Sequence, residues 1–197
     1  MVATVTGASV EPAAASRWRT RDIVVTAVIG VAFGVVFWFW GQVWTWSDAL
    51  FAAAPWAKDL IYGVWLIPAV LAALIVRKPG AALFAEMVGA GVSALIGSQW
   101  GADTLLSGFV QGAAAEIVFA FTLYRAWSLP VLGFAAVASA AAAWVHDWAL
   151  YYAEVAFDVQ LVRGLMMGAS AVVIVAVGSV LLARSLRQAG VLEGFPG

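Results

Sequence analysis

Residues 23–46 read IVVTAVIGVAFGVVFWFWGQVWTW, a run of 24 residues without a charged side chain. An α-helix rises about 1.5 Å per residue, so this run is long enough to cross the ~30 Å hydrocarbon core of a bilayer. Charged residues stand directly before it, at Arg21 and Asp22. The stretch therefore predicts a transmembrane helix as the first element of the fold.

Five further apolar runs, each long enough to span a bilayer, follow along the chain: Leu60–Val76, Ala81–Gly97, Leu105–Tyr124, Pro130–Trp148 and Leu165–Ala183. Hydrophobic residues make up 64% of the 197 residues and charged residues only 11%, whereas about a quarter of the residues of a typical soluble domain are charged. We predict an all-α integral membrane protein whose residues 17–190 form six transmembrane helices. Residues 1–16 are predicted to be a disordered cytoplasmic tail, and residues 191–197 a second cytoplasmic tail.

Lysine and arginine fall almost entirely on one side of this six-helix plan. With a cytoplasmic N-terminus, Lys58 and Arg163 lie outside and the other eight of the 10 basic residues lie inside. The positive-inside rule then predicts that both termini of this multi-pass plasma-membrane protein are cytoplasmic. The formal net charge of −1 gives no basic surface for nucleic acid, so no nucleic-acid partner is expected.

Aromatic residues concentrate at the predicted outer ends of the helices. Trp40 and Trp44 lie near the end of the first helix, Trp100 follows the third, and Trp144 and Tyr151 lie near the outer end of the fifth. An interfacial belt explains part of this pattern. The inner interface receives far fewer aromatic residues, which favours an aromatic-lined pocket open to the outside.

Polar groups within the fourth helix indicate a ligand cavity. Glu116 is predicted near the middle of the bilayer, with Gln111 about one and a half turns above it and space opened by Gly108 and Gly112. A carboxylate in the bilayer is costly and needs a partner or a purpose. We interpret Glu116 as the floor of a polar cavity. The alternative is a protonated Glu116 that hydrogen-bonds a neighbouring helix.

His146 is the only histidine in the sequence, and it lies among aromatic residues of the fifth helix. We expect it to line the same pocket, because no cysteine and no second imidazole are available to complete a metal site with it. We therefore expect neither a metal nor a cofactor. Glu86, near the inner end of the third helix, is interpreted as structural.

A small-xxx-small motif occurs in the first helix, with Gly30 and Gly34 on one face. Small residues at this spacing let another helix backbone approach closely. The motif is compatible with packing inside the protein or with a partner subunit.

Three stretches carry a family resemblance: RKPGAALFAE at residues 77–86, GSQWG at residues 97–101, and residues 106–116. The third stretch contains Leu-Ser-Gly at 106–108, Gln-Gly at 111–112 and Ala-Glu at 115–116. With the six-helix plan, they make the chain similar to the substrate-binding S components of energy-coupling factor (ECF) transporters. The resemblance is closest to the YkoE group, which is linked to thiamine and its hydroxymethylpyrimidine precursor.

The resemblance implies a prokaryotic, non-enzymatic subunit of an ATP-driven importer that captures its vitamin from the outside. Its implied partners are a transmembrane T subunit, which the face of Gly30 and Gly34 would meet, and two cytosolic ATPase domains. An aminopyrimidine would be bound by Gln99, Gln111, Glu116 or His146. The thiazolium of thiamine is a permanent cation, which tryptophan faces attract.

Two other functions remain compatible with the residues themselves. A stand-alone small carrier could couple transport to proton flow through Glu116 and His146. An intramembrane enzyme would require Ser107 and His146, or the two glutamates, to converge.

Overall fold

The computed structural model of this chain describes residues 17–196, and within that range it contains helices and turns but no strand. Its α-helices are α1 (Thr20–Trp46), α2 (Ile67–Val76), α3 (Ala81–Leu95), α4 (Asp103–Phe121), α5 (Leu129–Tyr151), α6 (Phe157–Ser170) and α7 (Gly178–Gln188). A 3₁₀ helix, Pro55–Leu66, runs directly into α2, and a π-helical segment, Ala171–Val177, joins α6 to α7. The described residues therefore form six helical rods, and the all-α prediction is confirmed.

Five of the rods are long and apolar enough to cross a membrane: Thr20–Trp46, Pro55–Val76, Asp103–Phe121, Leu129–Tyr151 and Phe157–Gln188. The sixth, α3, has 15 residues, or about 22 Å of helix, which is less than the ~30 Å hydrocarbon core. The sequence predicted a spanning helix to Gly97, but Gly97 has a φ of 96° and the helix has already ended. Multi-pass architecture therefore rests on five spans, with α3 a shorter apolar helix among them.

Helix α2 lies at the centre of the fold. All ten of its residues are buried, because its sequence IPAVLAALIV is apolar on every face and can be surrounded by other helices. The helix ends at Arg77, whose backbone is left-handed with a φ of 53°. The chain then turns through Gly80, with a φ of 88°, and enters α3 beside α2.

Glycines allow α1 and α3 to pack with their backbones close together. A Cβ atom on Gly30 would lie 2.6 Å from the Cβ of Val88, and one on Gly34 would lie 2.5 Å from the Cβ of Val92. Both glycines are buried. The small-xxx-small motif therefore packs inside the chain. The face of Gly30 and Gly34, which the sequence-based prediction assigned to a T subunit, is covered by α3.

The two ends of the bundle differ in character. We call the end formed by Thr20, the turn at residues 77–80 and the connection at residues 122–128 the basic end, and the opposite end the cavity end. At the basic end the indole nitrogen of Trp18 donates to the carbonyl of Pro79, and the Arg21 guanidinium lies 5.1 Å from the Phe195 ring. Of the predicted C-terminal tail, residues 191–196 are described, and Leu192 packs in the core. The predicted N-terminal tail, residues 1–16, lies outside the described residues.

Candidate ligand-binding cavity

A cavity of about 280 Å³ lies at the cavity end, close to the lower limit for a site that encloses a small organic ligand. It is bounded by α1, the 3₁₀ helix, α3, α4 and α5. Its lining residues are Phe37, Trp44, Tyr62, Trp65, Ala90, Ser93, Ser98, Trp100, Asp103, Thr104, Ser107, Gly108, Gln111, His146, Asp147, Tyr151 and Tyr152.

Four aromatic rings form one wall of the cavity. The Trp65 ring lies 5.2 Å from that of Trp44, 5.2 Å from that of Tyr62 and 5.4 Å from that of Trp100, measured between centroids, and all three pairs meet edge to face. Edge-to-face packing leaves part of a ring face uncovered. The wall is therefore suited to a flat apolar or cationic ring.

Hydrogen bonds fix the polar groups at the base of this wall. The Gln111 amide nitrogen donates to the Ser107 hydroxyl at 2.6 Å and to the Tyr62 hydroxyl at 3.3 Å. The backbone carbonyl of Gln111 accepts a hydrogen bond from Ser139 at 2.9 Å. Gln111 thus holds residues of α4, α5 and the 3₁₀ helix in one arrangement.

Two carboxylates flank the single histidine in another part of the cavity lining. His146 Nδ1 lies 2.9 Å from Asp147 Oδ1, and His146 Nε2 lies 3.1 Å from Asp103 Oδ1. The other oxygen of Asp103 accepts a hydrogen bond from Tyr151. This arrangement, which we call the acidic wall, gives the cavity two carboxylates beside one imidazole.

A buried ion pair lies behind the cavity. Arg163 Nε donates to Asp59 Oδ2 at 2.8 Å, and the guanidinium lies 3.5 Å from the ring centroid of Tyr152, which lines the cavity. Burial is the main reason that the pKa of Tyr152 is raised above its usual value. The charge of Arg163 is therefore balanced by Asp59 and separated from the cavity by a neutral ring.

Five of the nine predicted binding residues lie together in the cavity lining: Trp44, Trp100, Gln111, His146 and Tyr151. Trp40, Gln99 and Trp144 are used in contacts between elements instead. Trp40 donates to the carbonyl of Ile61, Trp144 donates to the carbonyl of Gln160, and Gln99 joins Thr45 and Gly41 of α1. Their ligand-binding role was expected from their positions near helix ends, which do not reveal the direction of a side chain.

Glu116 lies at the basic end, away from the cavity. Its carboxylate accepts hydrogen bonds from the backbone nitrogens of Gly80 at 2.6 Å, Ala82 at 2.9 Å and Leu83 at 3.3 Å, and from the Tyr124 hydroxyl at 2.7 Å. A carboxylate at a helix N-terminus satisfies amides that have no partner within the helix. The structure therefore replaces our expectation of a cavity floor with a cap on α3.

Tyr124 completes this cap. Burial, followed by the hydrogen bond to Glu116 and its charge, raises the pKa of Tyr124 above its usual value. The hydroxyl consequently stays protonated near neutral pH and remains a donor to Glu116. Glu86, another glutamate of the bundle, is fully buried and accepts from the backbone nitrogen of Ala69 in α2 at 3.1 Å.

The sequence reasoning missed Tyr62, Trp65 and Asp103 as lining residues. Tyr62 and Trp65 are three residues apart, and the three-residue turn of a 3₁₀ helix brings them onto one face. Asp103 opens α4 and faces His146. Its position just before the Ser107 to Gln111 stretch of the same helix was the available signal.

A family model described as "ABC-type cobalt transport system, permease component" matches residues 21–142, more than half of the chain. The chain belongs to this family. Among curated members of known name, it is 39% identical over 130 residues to the putative HMP/thiamine permease protein YkoE of Bacillus subtilis (strain 168). That match covers 66% of this chain and 64% of the length of YkoE.

The fold of this family member matches a solved structure described as an S-component of an ECF transporter. The TM-score is 0.86, the sequences are 34% identical, and 90% of each chain is covered. The resemblance to S components of the YkoE group is thereby confirmed. The named relatives are transport proteins, in agreement with our prediction of a transport subunit rather than an enzyme.

Proposed function

We propose that this protein is the substrate-binding subunit of an ATP-driven ECF-type importer that captures thiamine or its hydroxymethylpyrimidine precursor. The single observation that carries the proposal is the cavity, whose lining combines an aromatic wall with the acidic wall within a fold like that of an S component. The printed name of the YkoE relative supplies the candidate ligands.

The two walls match the two halves of thiamine chemically. Aromatic faces attract a desolvated cation by about 2 kcal/mol or more, and the thiazolium is a permanent cation. The side-chain oxygen of Gln111 and the carboxylates of Asp103 and Asp147 offer acceptors to the amino group of an aminopyrimidine. The rings of Trp44, Trp65 and Trp100 would pack against the flat heterocycle.

The charge distribution supports capture from the outside. Eight of the 10 basic residues belong to the basic end or to the segments beside it. The positive-inside rule places that end in the cytoplasm, with both termini, and turns the cavity end outward. Transport would require a transmembrane T subunit and cytosolic ATPase domains, since a binding subunit by itself supplies no energy for accumulation.

No specific structural observation favours the proton-coupled carrier or the intramembrane enzyme. A proton path through Glu116 and His146 would have to join the basic end to the cavity, and Glu116 is engaged as a helix cap. For an enzyme, Ser107 would need His146 as a base, but Ser107 bonds Gln111 and both nitrogens of His146 face carboxylates.

Calorimetric titration of the purified protein tests the proposal. The protein is prepared without thiamine and titrated with thiamine, hydroxymethylpyrimidine and riboflavin. Saturable one-to-one binding of thiamine or hydroxymethylpyrimidine, with no riboflavin binding, is the expected result. Binding of neither candidate by verified empty protein would overturn the proposed substrate.

Cobalt is included as a second control, because the family description names it. Within residues 17–196, no group of three or more histidine, aspartate and glutamate side chains is arranged to hold a metal ion. We therefore expect no saturable heat with Co²⁺. Tight Co²⁺ binding in the absence of vitamin binding would show that the metal, and not a vitamin, is the substrate.

A further inference from the structure

We propose that the acidic wall is a cation-for-proton exchange site. In the empty protein Asp103 and Asp147 bind a protonated His146. When a cationic ligand binds, His146 loses its proton and the ligand supplies the positive charge instead. The inference rests on the proposed function and adds a mechanism of charge selection to it. It assigns specificity for a positively charged ligand to Asp103 and Asp147, and it makes His146 the proton donor of the exchange.

Two N–H donors on the His146 ring match the geometry around it. Its Nδ1 and Nε2 atoms lie 2.9 Å and 3.1 Å from carboxylate oxygens of different aspartates. A neutral imidazole carries one N–H only, so its other nitrogen would direct a lone pair at a carboxylate. The imidazolium form satisfies both contacts, and its charge partly offsets the two carboxylates.

The two other cations near the cavity are each paired with a carboxylate other than Asp103 and Asp147. Lys58 lies over the Trp44 ring at 4.2 Å and is ion-paired with Asp48. Arg163 is paired with Asp59 behind Tyr152. No lysine or arginine occurs among the lining residues of the described chain.

The remaining titratable groups that face the wall are phenols. Tyr62 belongs to the 3₁₀ helix, Tyr151 ends α5 and donates to Asp103, and Tyr152 follows it. Phenols are uncharged near neutral pH. From α1 and α3 the cavity receives Phe37, Trp44, Ala90 and Ser93, none of which titrates. His146 is therefore the group whose charge can change in the physiological range.

Exchange follows from electrostatic repulsion inside a poorly hydrated cavity. A ligand cation between the walls is attracted by Asp103 and Asp147 and repelled by the imidazolium, and such interactions are strong where water is excluded. Loss of one proton from His146 to solvent removes the repulsion and releases one of the two carboxylates from its hydrogen bond to the ring. The net charge of the loaded site is then the same as that of the empty one, since one cation has replaced one proton.

The histidine count makes a direct experiment feasible, because His146 is the only histidine of the natural chain. Full-length protein, labelled with ¹⁵N-histidine and freed of any purification tag, is measured by NMR in detergent at about pH 6.5, near the usual titration range of histidine. We expect both ring nitrogens to carry protons in the empty protein. Saturating thiamine is expected to leave a neutral ring with one N–H.

Calorimetry measures the same exchange independently. Thiamine is titrated at one pH into protein in two buffers of different ionisation enthalpy, and the difference in heat gives the protons released. We expect a release of up to about one proton, as required for one titrating group, and none for His146→Gln. Asp103→Asn and Asp147→Asn should each weaken thiamine binding by tenfold or more.

Glu154→Gln is the matched control, because Glu154 is an exposed carboxylate near the end of α5 that does not line the cavity. It should behave as the unmodified protein. A neutral ring in the empty protein, or thiamine binding without proton release, overturns the inference and leaves the proposed function intact. If the unmodified protein binds hydroxymethylpyrimidine but not thiamine, the inference fails and the proposed function stands; if it binds neither, both fail.

Discussion

Gln111 illustrates how the cavity is organised at the residue scale. Its side-chain amide donates to the hydroxyls of Ser107 and Tyr62, and its backbone carbonyl accepts from Ser139, so residues from three helices are fixed around one residue. Fixed polar groups lose little freedom when a ligand binds, which favours affinity. Trp100 is also fixed in position, because the turn between α3 and α4 places it against Trp65.

Replacement of Trp100 tests the aromatic wall. We expect Trp100→Ala to weaken thiamine binding by tenfold or more, because a ligand ring loses one of its packing surfaces, and tenfold corresponds to about 1.4 kcal/mol. The measurement is calorimetric titration. Trp46→Ala is the control, since Trp46 lies at the same end but is 68% exposed. Equal losses in both variants would contradict a specific role for Trp100.

Glu116 provides the second test at this scale. Glu116→Ala removes the acceptor for three backbone amides and for Tyr124, so we expect a loss of about 1–3 kcal/mol in unfolding free energy. Thiamine affinity should remain within about twofold, since the side chain is outside the cavity lining. Thermal unfolding and titration of one preparation measure both. Glu116→Gln, which retains an acceptor, should lose less stability, whereas a selective loss of affinity would restore the cavity-floor interpretation.

At the scale of elements, the number of residues per helical turn determines which residues reach the cavity. The 3₁₀ helix spans 12 residues, although runs beyond three or four are uncommon. Its three-residue turn places Asp59, Tyr62 and Trp65 along one face, where Tyr62 and Trp65 line the cavity and Asp59 pairs with Arg163. The shortness of α3 contributes as well, because the chain leaves the helix in time for Trp100 to reach the cavity.

The contact between α1 and α3 gives a prediction for a pair of helices. Gly34→Ala would place a Cβ atom 2.5 Å from that of Val92 and 2.8 Å from the carbonyl of Gly89. Relief of such overlap costs about 1–3 kcal/mol, so we expect a Tm lower by several degrees. Gly91→Ala is the matched control, since a Cβ there meets no atom within 4 Å. An unchanged Tm for Gly34→Ala would show that the two helices are not in this close contact.

The whole molecule is asymmetric in charge and in aromatic content. One end carries most of the arginines and lysines, and the other carries the cavity with its tryptophans and carboxylates. An orientation with the basic end inside would let a ligand reach the cavity from outside the cell and leave the other end for cytoplasmic partners.

Reporter fusions test this orientation. A reporter that functions only in the cytoplasm should be active when fused after Gly197, and one that functions only outside should be active when inserted between residues 47 and 54, in the turn after α1. The reverse pattern would show that the cavity faces the cytoplasm. Fusions with intact thiamine binding provide the control for folding.

The sequence by itself determined the helical class, the approximate limits of the apolar runs and the family. Each of these depends on local composition: a charge-free run of about 20 residues is stable in a bilayer only as a helix, whichever neighbours it finds. Trp44, Trp100, His146 and Tyr151 were also expected in the cavity lining from their positions near helix ends, and Gln111 from its position as a polar residue within the fourth helix.

Only the tertiary structure decided which of these side chains face one another. Counting residues along α4 predicted Glu116 at mid-bilayer, but the turn before α3 and the start of that helix supply three donors to it, and Tyr124 supplies a fourth. Gly30 and Gly34 could have met a partner, and α3 covers them instead. The rotation of a helix about its axis and the depth of a turn depend on the packing of neighbours, and local sequence contains little information about either.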